Sequence, residues 1–508
     1  MTSSSALRLG TRDSLLARAQ SRLVQRALQN ADPGLRIELV TMQTRGDRQL
    51  DVPLATVRDP DFFSAELDEA LVGGTVDLCV HSLKDLPLAP RAGIVTAAIP
   101  PRENPRDVVV FRPDILALLR AGERLRIGSC SDRRVEFTAA FLRDALPRLH
   151  ERPVALEFPS LRGTVEARVA RLRLPREDAA SLDGVVLALA GLARLWGDRD
   201  AHAQLASLLD GTRVMVLPVT ECPVAPGQGA LAVDCRAGDS RVREILARIN
   251  HEPSARRAQR ELTLLRSQPE TERNAFGATT VRHPVCGTLL YTRNRRGGHL
   301  IWQPPPRPQS AQAWDGADWA GASGHRPLPR TDLGQAGALF FAHWRALPAA
   351  AKLAANARVW VSGVRSWRRF AERGIWVEGC AEDLGFDAII DTLRSPVLRL
   401  PPLADWTAVT RSDATGSWGS SGVGRAVATY AIEGPRDDEA LDRIRAGIAR
   451  ATHFYWGSAA QFRALRPWLP RDGHHACGPG KTYTALQSAG VGELHAFPSR
   501  QEWRSWVA

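Results

Sequence analysis

Between residues 7 and 191, short apolar runs alternate with stretches whose apolar residues recur at helical spacing. No other feature constrains the fold as strongly, because this order belongs to α/β proteins built on parallel sheets. Residues 7–11 and 36–42 read as strands, and residues 14–28 as a helix behind a Ser/Asp cap. A helix over 64–74, ended by Gly73-Gly74, precedes a buried strand over 76–82. Residues 99–107, with three prolines, read as a crossing segment. Beyond it, 108–111, 124–130, 154–158 and 184–191 read as strands, with helices over 133–146 and 164–174. Two α/β lobes joined by crossing segments would enclose a cleft, and ligands in such sheets bind at strand C-terminal ends.

A chain of 508 residues predicts more than one domain, and 44% hydrophobic with 24% charged residues suits a buried core. No stretch approaches the ~20 consecutive apolar residues of a membrane span, and residues 1–20 lack a basic-then-apolar leader pattern. The expectation is a soluble, cytoplasmic protein with no membrane partner. Seven scattered cysteines form no C-x-x-C pair and no zinc-ligand spacing, so neither a disulfide framework nor a metal is expected. The formal net charge is +12, carried almost entirely by arginine. These arginines are dispersed singly, without the runs and aromatic platforms of a nucleic-acid reader. Guanidinium groups pair with carboxylates two bonds at a time, so the distribution points to a small polyanionic ligand.

The densest chemistry lies in Val-Asp-Leu-Cys-Val-His-Ser-Leu-Lys-Asp-Leu-Pro, residues 76–87. A strand that delivers His81, Lys84 and Asp85 to its C-terminal end sets a carboxylate beside a cation at a cleft mouth. Six further motifs accompany it in order, at 9–20, 44–55, 127–137, 161–172, 183–195 and 223–236. Together they make residues ~7–300 resemble the porphobilinogen deaminase (hydroxymethylbilane synthase) family.

The resemblance implies two periplasmic-binding-protein-like lobes and a small α+β third domain. It implies a transferase that condenses four porphobilinogen units into a linear tetrapyrrole, releasing ammonia, on a cysteine-linked dipyrromethane primer. Asp85 matches the family's catalytic aspartate. Arg12, Arg133, Arg134, Arg162, Arg168 and Arg194, with Ser14, Lys84 and Ser131, match positions that hold substrate and cofactor carboxylates.

Two departures stand out. Where the family has lysines on a loop over the cleft, this chain has Thr56 and Pro60, with Asp59 and Asp61 flanking the latter. At the family's primer cysteine, three residues before Pro284, stands Val281, which forms no thioether. Cys286 is the substitute the local sequence offers; otherwise the primer is attached elsewhere, held non-covalently or absent. The alternative function is a non-catalytic paralogue that binds a tetrapyrrole or polycarboxylate.

Farther on, Ser458 before a helix and Gly478-Pro479-Gly480-Lys481-Thr482 resemble uroporphyrinogen-III synthase, the next enzyme of that pathway. The expected division is 1–100 with 214–234 as the first lobe, 101–213 as the second, and 235–300 as the third domain. A Pro/Gly/Arg-rich linker over 301–345 and a synthase-like α/β domain over 346–508 complete the expected order. Only one convincing lobe of that second family is legible, so the expectation is that this region alone does not make the type III isomer.

Overall fold

The computed structural model describes residues 6–45, 64–329 and 333–508, which fall into two compact units. The first comprises Met1–Arg143, Arg148–Thr280 and Leu290–Leu300; the second comprises Asp144–Pro147, Val281–Leu289 and Ile301–Ala508.

In the first unit, β1 (Leu7–Arg12), β2 (Ile37–Met42), β3 (Leu78–Ser82), β4 (Ile94–Ala98) and the later β10 (Leu231–Arg236) form one sheet, in the order β2-β1-β3-β10-β4. A second sheet takes β5 (Asp107–Phe111), β6 (Leu125–Gly128), β7 (Leu156–Glu157), β8 (Gly184–Ala188) and β9 (Arg213–Val216), in the order β7-β6-β8-β5-β9. The expected parallel pairing holds for β1 with β2 and β3, and for β6 with β7 and β8. Each sheet also carries one strand that runs against its neighbours, β10 in the first and β5 in the second. Residues 184–191 are not all strand: after Ala188 the chain turns into the helix Leu189–Trp196.

Side chains show why these elements form. Ser14 caps the helix Leu15–Ala31 by accepting from the Ala17 amide at 3.3 Å, satisfying one orphan donor. The same helix buries Val24 and Leu28 against Leu7, Leu9, Leu78 and Val80. Val242 and Leu246 of the helix Ser240–Ala247 join that core, so the first lobe regains the chain from β10 onward. The expected boundaries shift accordingly. β9 belongs to the second lobe rather than the first, and residues 235–249 belong to the first lobe rather than to a third domain. Beyond residue 249 the chain forms the helix Glu252–Ser267 and a sheet of β11 (Gly277–His283), β12 (Gly287–Asn294) and β13 (Gly297–Ile301), with Phe276, Ala278 and Leu290 buried against Leu264 and Leu265.

In the second unit, the segment expected to be a linker is built into the fold. It holds β14 (Ala313–Trp314), the helix Ala317–Ala322, β15 (Gly324–Pro327) and β16 (Ala338–Phe341). Trp314 and Trp319 are buried with Ile444, Ile448, Phe454 and Trp456. Burying a large apolar side chain contributes roughly 1.5–3 kcal/mol, enough for two tryptophans to order a stretch whose composition suggests a loop. β15 and β16 join β17 (Arg358–Val361), β18 (Gly379–Cys380), β19 (Trp406–Arg411) and β20 (Arg425–Glu433) in a sheet ordered β15-β20-β19-β16-β17-β18. β14 instead heads a parallel sheet with β21 (His453–Trp456), β22 (His474–Cys477) and β23 (Leu494–Ala496). The unit therefore has two lobes, one inserted in the chain between the first and second strands of the other. The expectation of a single lobe is corrected. The lobe missed is the β15–β20 sheet, because Ser458 and Thr482 follow β21 and β22 of the other sheet, to which β14 also belongs.

Candidate active site

The strand ends of the first unit's two lobes bring most of the singled-out residues together. β3 runs into a single turn, Leu83–Asp85, that sets Lys84 and Asp85 at the C-terminal edge of the first sheet. Lys84 Nζ donates to Gln228 Oε1 at 3.1 Å. Gln228 Nε2 donates in turn to Asp107 Oδ1 at 2.8 Å and to the Pro105 carbonyl at 2.7 Å. Asp107 opens β5 in the second lobe, so one glutamine ties the two lobes.

Asp107 is the hub. It is 1% exposed and accepts from Arg134 Nη2 at 2.7 Å, Arg134 Nε at 3.2 Å and Arg133 Nη2 at 3.1 Å. Burial works against its charge, but the two guanidiniums outweigh it and hold the carboxyl well below the usual carboxylate range. Arg134 answers in kind: despite burial, Asp107 pushes its pKa up. Burial alone dominates for Lys84 and for Arg194, whose pKa is lowered, that of Arg194 to about 10.

Arg133 lies deeper than a residue that meets a ligand directly would. Its guanidinium is 4% exposed and spent on Asp107 and the Pro223 carbonyl, so it supports the site from behind. Arg194 donates to the Gly229 carbonyl at 2.6 Å. Gly229 has φ +85°, and a Cβ there would lie 2.5 Å from the Glu103 carbonyl oxygen. Only glycine lets this segment pass so close to the crossing segment at Glu103.

Around the mouth lie the remaining cations. Arg168, on the helix Val165–Ala170, donates through Nε to the Gly163 carbonyl at 2.8 Å and through Nη1 to Cys130 Sγ at 3.3 Å. Arg162 and Ser131 line a cavity of about 400 Å³ together with Ser129, Cys130, Phe158 and Leu161. Ser131 Oγ accepts from the Arg134 amide at 3.3 Å, so its oxygen serves the helix start while its hydroxyl proton stays available. Arg12 closes β1, and its charge reaches His81. Asp85 is exposed and accepts no hydrogen bond among the described residues, which leaves both carboxylate oxygens open to N–H donors. Thr56, Asp59, Pro60 and Asp61 lie outside the described residues.

Cys286 is a poor nucleophile. It is 8% exposed within the second unit, its thiol is pushed up to about 12 by burial, and Sγ faces the Ala496 carbonyl at 3.8 Å. Sequence reasoning missed Asp107, Gln228 and Glu261. The last is fully buried and holds Arg102 with two bonds of 2.7 and 2.9 Å and the Gly227 amide at 2.8 Å. The signal was present for Gln228, inside the 223–236 motif; Asp107 and Glu261 read as ordinary flanking charges.

The second unit has a cavity of its own, of about 530 Å³, lined by Arg345, Arg411, Ser458, Lys481, Thr482 and Arg500 among others. Ser458 Oγ accepts from the Gln461 amide at 3.1 Å and so caps the helix Ala459–Leu465.

Residues 7–244 match the family model described as porphobilinogen deaminase, dipyrromethane cofactor binding domain. A porphobilinogen deaminase of Moorella thermoacetica is 40% identical over 261 residues, covering 51% of this chain and 74% of the relative. One of Syntrophotalea carbinolica is 41% identical over 264 residues, covering 52% and 75%. Among solved structures, the methionine binding protein MetQ aligns over 51% of this chain and 94% of its own, at 13% identity and a TM-score of 0.28.

Proposed function

This chain belongs to the porphobilinogen deaminase family, and we propose that it works as a hydroxymethylbilane synthase with Asp85 as its catalytic carboxylate. The family reaction is a transferase step of tetrapyrrole and heme biosynthesis: porphobilinogen units are joined head to tail and each aminomethyl nitrogen leaves as ammonia. The observation that carries the residue assignment is the pairing of an open carboxylate, Asp85, with the Lys84–Gln228–Arg134 chain at the same strand ends. Departure of ammonia leaves an electron-poor azafulvene, and the pyrrole that attacks it becomes cationic. A carboxylate without protein donors takes up the pyrrole N–H groups, stabilises that positive charge and receives the proton released on rearomatisation.

Each ring also carries an acetate and a propionate. Lys84, Arg134, Arg162 and Arg168 supply cations for those groups, with Ser131 as a neutral donor, and Arg12 and Ser14 stand at the neighbouring end of β1. Arg133 and Arg194 act through the backbone and Asp107 that they hold. The donor set suits a dipyrromethane, which bears four carboxylates; when bound it supplies the first nucleophilic pyrrole carbon. A cytoplasmic setting accords with seven free cysteines.

The test is Asp85→Ala. Loss of one preorganised electrostatic partner at a reacting centre costs about a hundred- to a thousandfold in turnover. Porphobilinogen consumption should fall by at least that factor while the thermal unfolding midpoint stays within a degree or two of wild type. A variant that turns over normally removes Asp85 from the mechanism.

For the second unit the reading is a uroporphyrinogen-III synthase-like domain. Its support is the pair of lobes and the shared cavity, which carries Ser458 and Thr482 beside four cations. Two lobes spread the ordering of a flexible substrate over two surfaces, so the expected product reverses from that of a single lobe. Full-length Asp85→Ala protein supplied with hydroxymethylbilane should give predominantly the type III isomer. Only type I product would reject the assignment.

A further inference from the structure

If this chain uses a covalent dipyrromethane, the residue at the family's attachment position does not provide it, because Val281 has no thiol. The region that matches the cofactor-binding model, residues 7–244, contains four cysteines: Cys79, Cys130, Cys222 and Cys235. Three are closed off. Cys79 and Cys222 are buried, and their thiols face the Leu67 and Phe137 carbonyls at 3.7 and 3.5 Å. Cys235 is buried in the first lobe's apolar core between Leu231 and Val242. Burial raises the pKa of all three thiols, that of Cys235 to about 11.

Cys130 differs in every respect. It lies just past β6 at the second lobe's strand ends, is only partly buried, and lines the 400 Å³ cavity beside Ser131 and Arg162. Arg168 Nη1 lies 3.3 Å and Arg134 Nη1 3.6 Å from its sulfur, and the Lys84 charge also bears on it. Burial works against its thiolate, yet these cations win and lower the pKa, as they do at reactive cysteines elsewhere. Arg134, Arg168 and Lys84, proposed to receive cofactor carboxylates, therefore also surround this thiol, in a cavity whose lining adds Arg162 and Arg295 and the carboxylates of Asp132 and Glu136.

We propose that Cys130 carries the dipyrromethane in this chain as a thioether; this rests on the hydroxymethylbilane synthase reading above. The Cys130 thiolate attacks the aminomethyl carbon of a porphobilinogen in its ammonium form. A C–S bond forms, the C–N bond breaks, and the nitrogen leaves with its electron pair as ammonia; the thiol proton has already gone to solvent. A second porphobilinogen then couples through its own aminomethyl carbon to the free α-carbon of the first ring. That step again releases ammonia, and the α-carbon loses its proton. No oxidant or reductant is needed.

The experiment is intact-mass measurement and peptide mapping of purified full-length protein, alongside C130S. The expected result is a wild-type mass increment of one dipyrromethane, mapped to the peptide bearing Cys130, with Ehrlich-positive colour and resistance of Cys130 to iodoacetamide. C130S should lack both increment and colour. An increment mapped to Cys286 or any other residue, or one that persists in C130S, overturns the attachment site while leaving the reaction intact. An unmodified wild-type protein that still consumes porphobilinogen overturns covalent attachment alone. An unmodified wild-type protein with no turnover overturns both the proposal and the reading beneath it. The wild-type mapping decides the matter even if C130S fails to fold.

Discussion

The two units present cations to their clefts in physically different ways. In the first, the guanidinium of Arg134 is anchored on a buried carboxylate, Asp107, and Lys84 is held through Gln228 on the same hub. In the second, three of the four cavity cations lie over aromatic faces, Lys481 5.2 Å from the centre of the Trp418 ring, Arg500 5.4 Å from Tyr455 and Arg345 4.6 Å from Trp344, while Arg411 pairs with Asp413 at 2.8 Å. A carboxylate anchor fixes a cation's position but uses up part of its charge and hydrogen-bonding capacity. An aromatic seat itself takes up no N–H donor and tolerates movement, at about 0.5–2 kcal/mol per contact, although Lys481 also donates to Ser421. The first arrangement suits a reaction in which charge must appear at one fixed point. The second suits a ligand that must be gripped while it bends.

The largest expected effect breaks the first arrangement at its centre. Asp107→Ala leaves two buried arginines without their counter-charge, and uncompensated buried charge typically costs about 3–5 kcal/mol. Urea unfolding should register a loss of that order, together with loss of porphobilinogen turnover. Asp107→Asn keeps a hydrogen-bond acceptor and should lose less stability than Asp107→Ala. Equal stability of Asp107→Ala and wild type would mean that the hub is not what fixes these cations.

How much of this was legible in the sequence depends on the residue. A buried apolar run after a helix ended by Gly73-Gly74 placed β3, and the strand-end rule placed Lys84 and Asp85 where the structure has them. The Ser14 cap was equally readable, because capping is local chemistry. Asp107 was not, since its meaning comes from Arg133 and Arg134, more than twenty residues away. Arg133 and Arg134 are adjacent in sequence and both buried on Asp107, yet Arg133 also holds the Pro223 carbonyl while Arg134 reaches Gln228 and Cys130, a difference set by the helix Asp132–Ala145 and not legible in the sequence. The second unit's missed lobe failed for another reason. Its sheet includes strands as short as β15, of four residues, and β18, of two, too few for a period to register, and its order β15-β20-β19-β16-β17-β18 joins strands far apart along the chain.

A smaller effect sharpens the comparison through pH. His81 is 7% exposed on β3, 3.7 Å from Asp234, and burial lowers its pKa to about 4 although Asp234 works in the opposite direction. An unfolded histidine titrates near 6.5. Between those values the unfolded chain binds a proton that the folded one excludes, so stability is complete above pH 6.5 and declines as pH falls to 4. The full difference amounts to about 3 kcal/mol at most. Urea unfolding across that range should show the slope in wild type and a shallower one in His81→Gln. Identical slopes would show that His81 takes up its proton in the folded state.

The smallest effect separates two roles of one hydroxyl in the second unit. Ser458 Oγ caps the helix Ala459–Leu465 and also lines the cavity. Removing the cap in Ser458→Ala should cost about 1 kcal/mol of stability, and that alone says nothing about ligand contact. Ser458→Asp distinguishes the roles, because aspartate caps a helix as well as serine does while setting a negative charge against a polycarboxylate. If Ser458 only supports the helix, Ser458→Asp should recover both the stability lost in Ser458→Ala and the type III product. If the hydroxyl meets the substrate, Ser458→Asp should recover stability and still shift the product toward type I. The two measurements, an unfolding midpoint and an isomer ratio from hydroxymethylbilane, then move in opposite directions, which a purely structural residue does not produce. Ser14 supplies the contrast: it too caps a helix, at the mouth of the first unit's cleft, and the same pair of substitutions there should affect porphobilinogen turnover without changing the isomer ratio formed from hydroxymethylbilane.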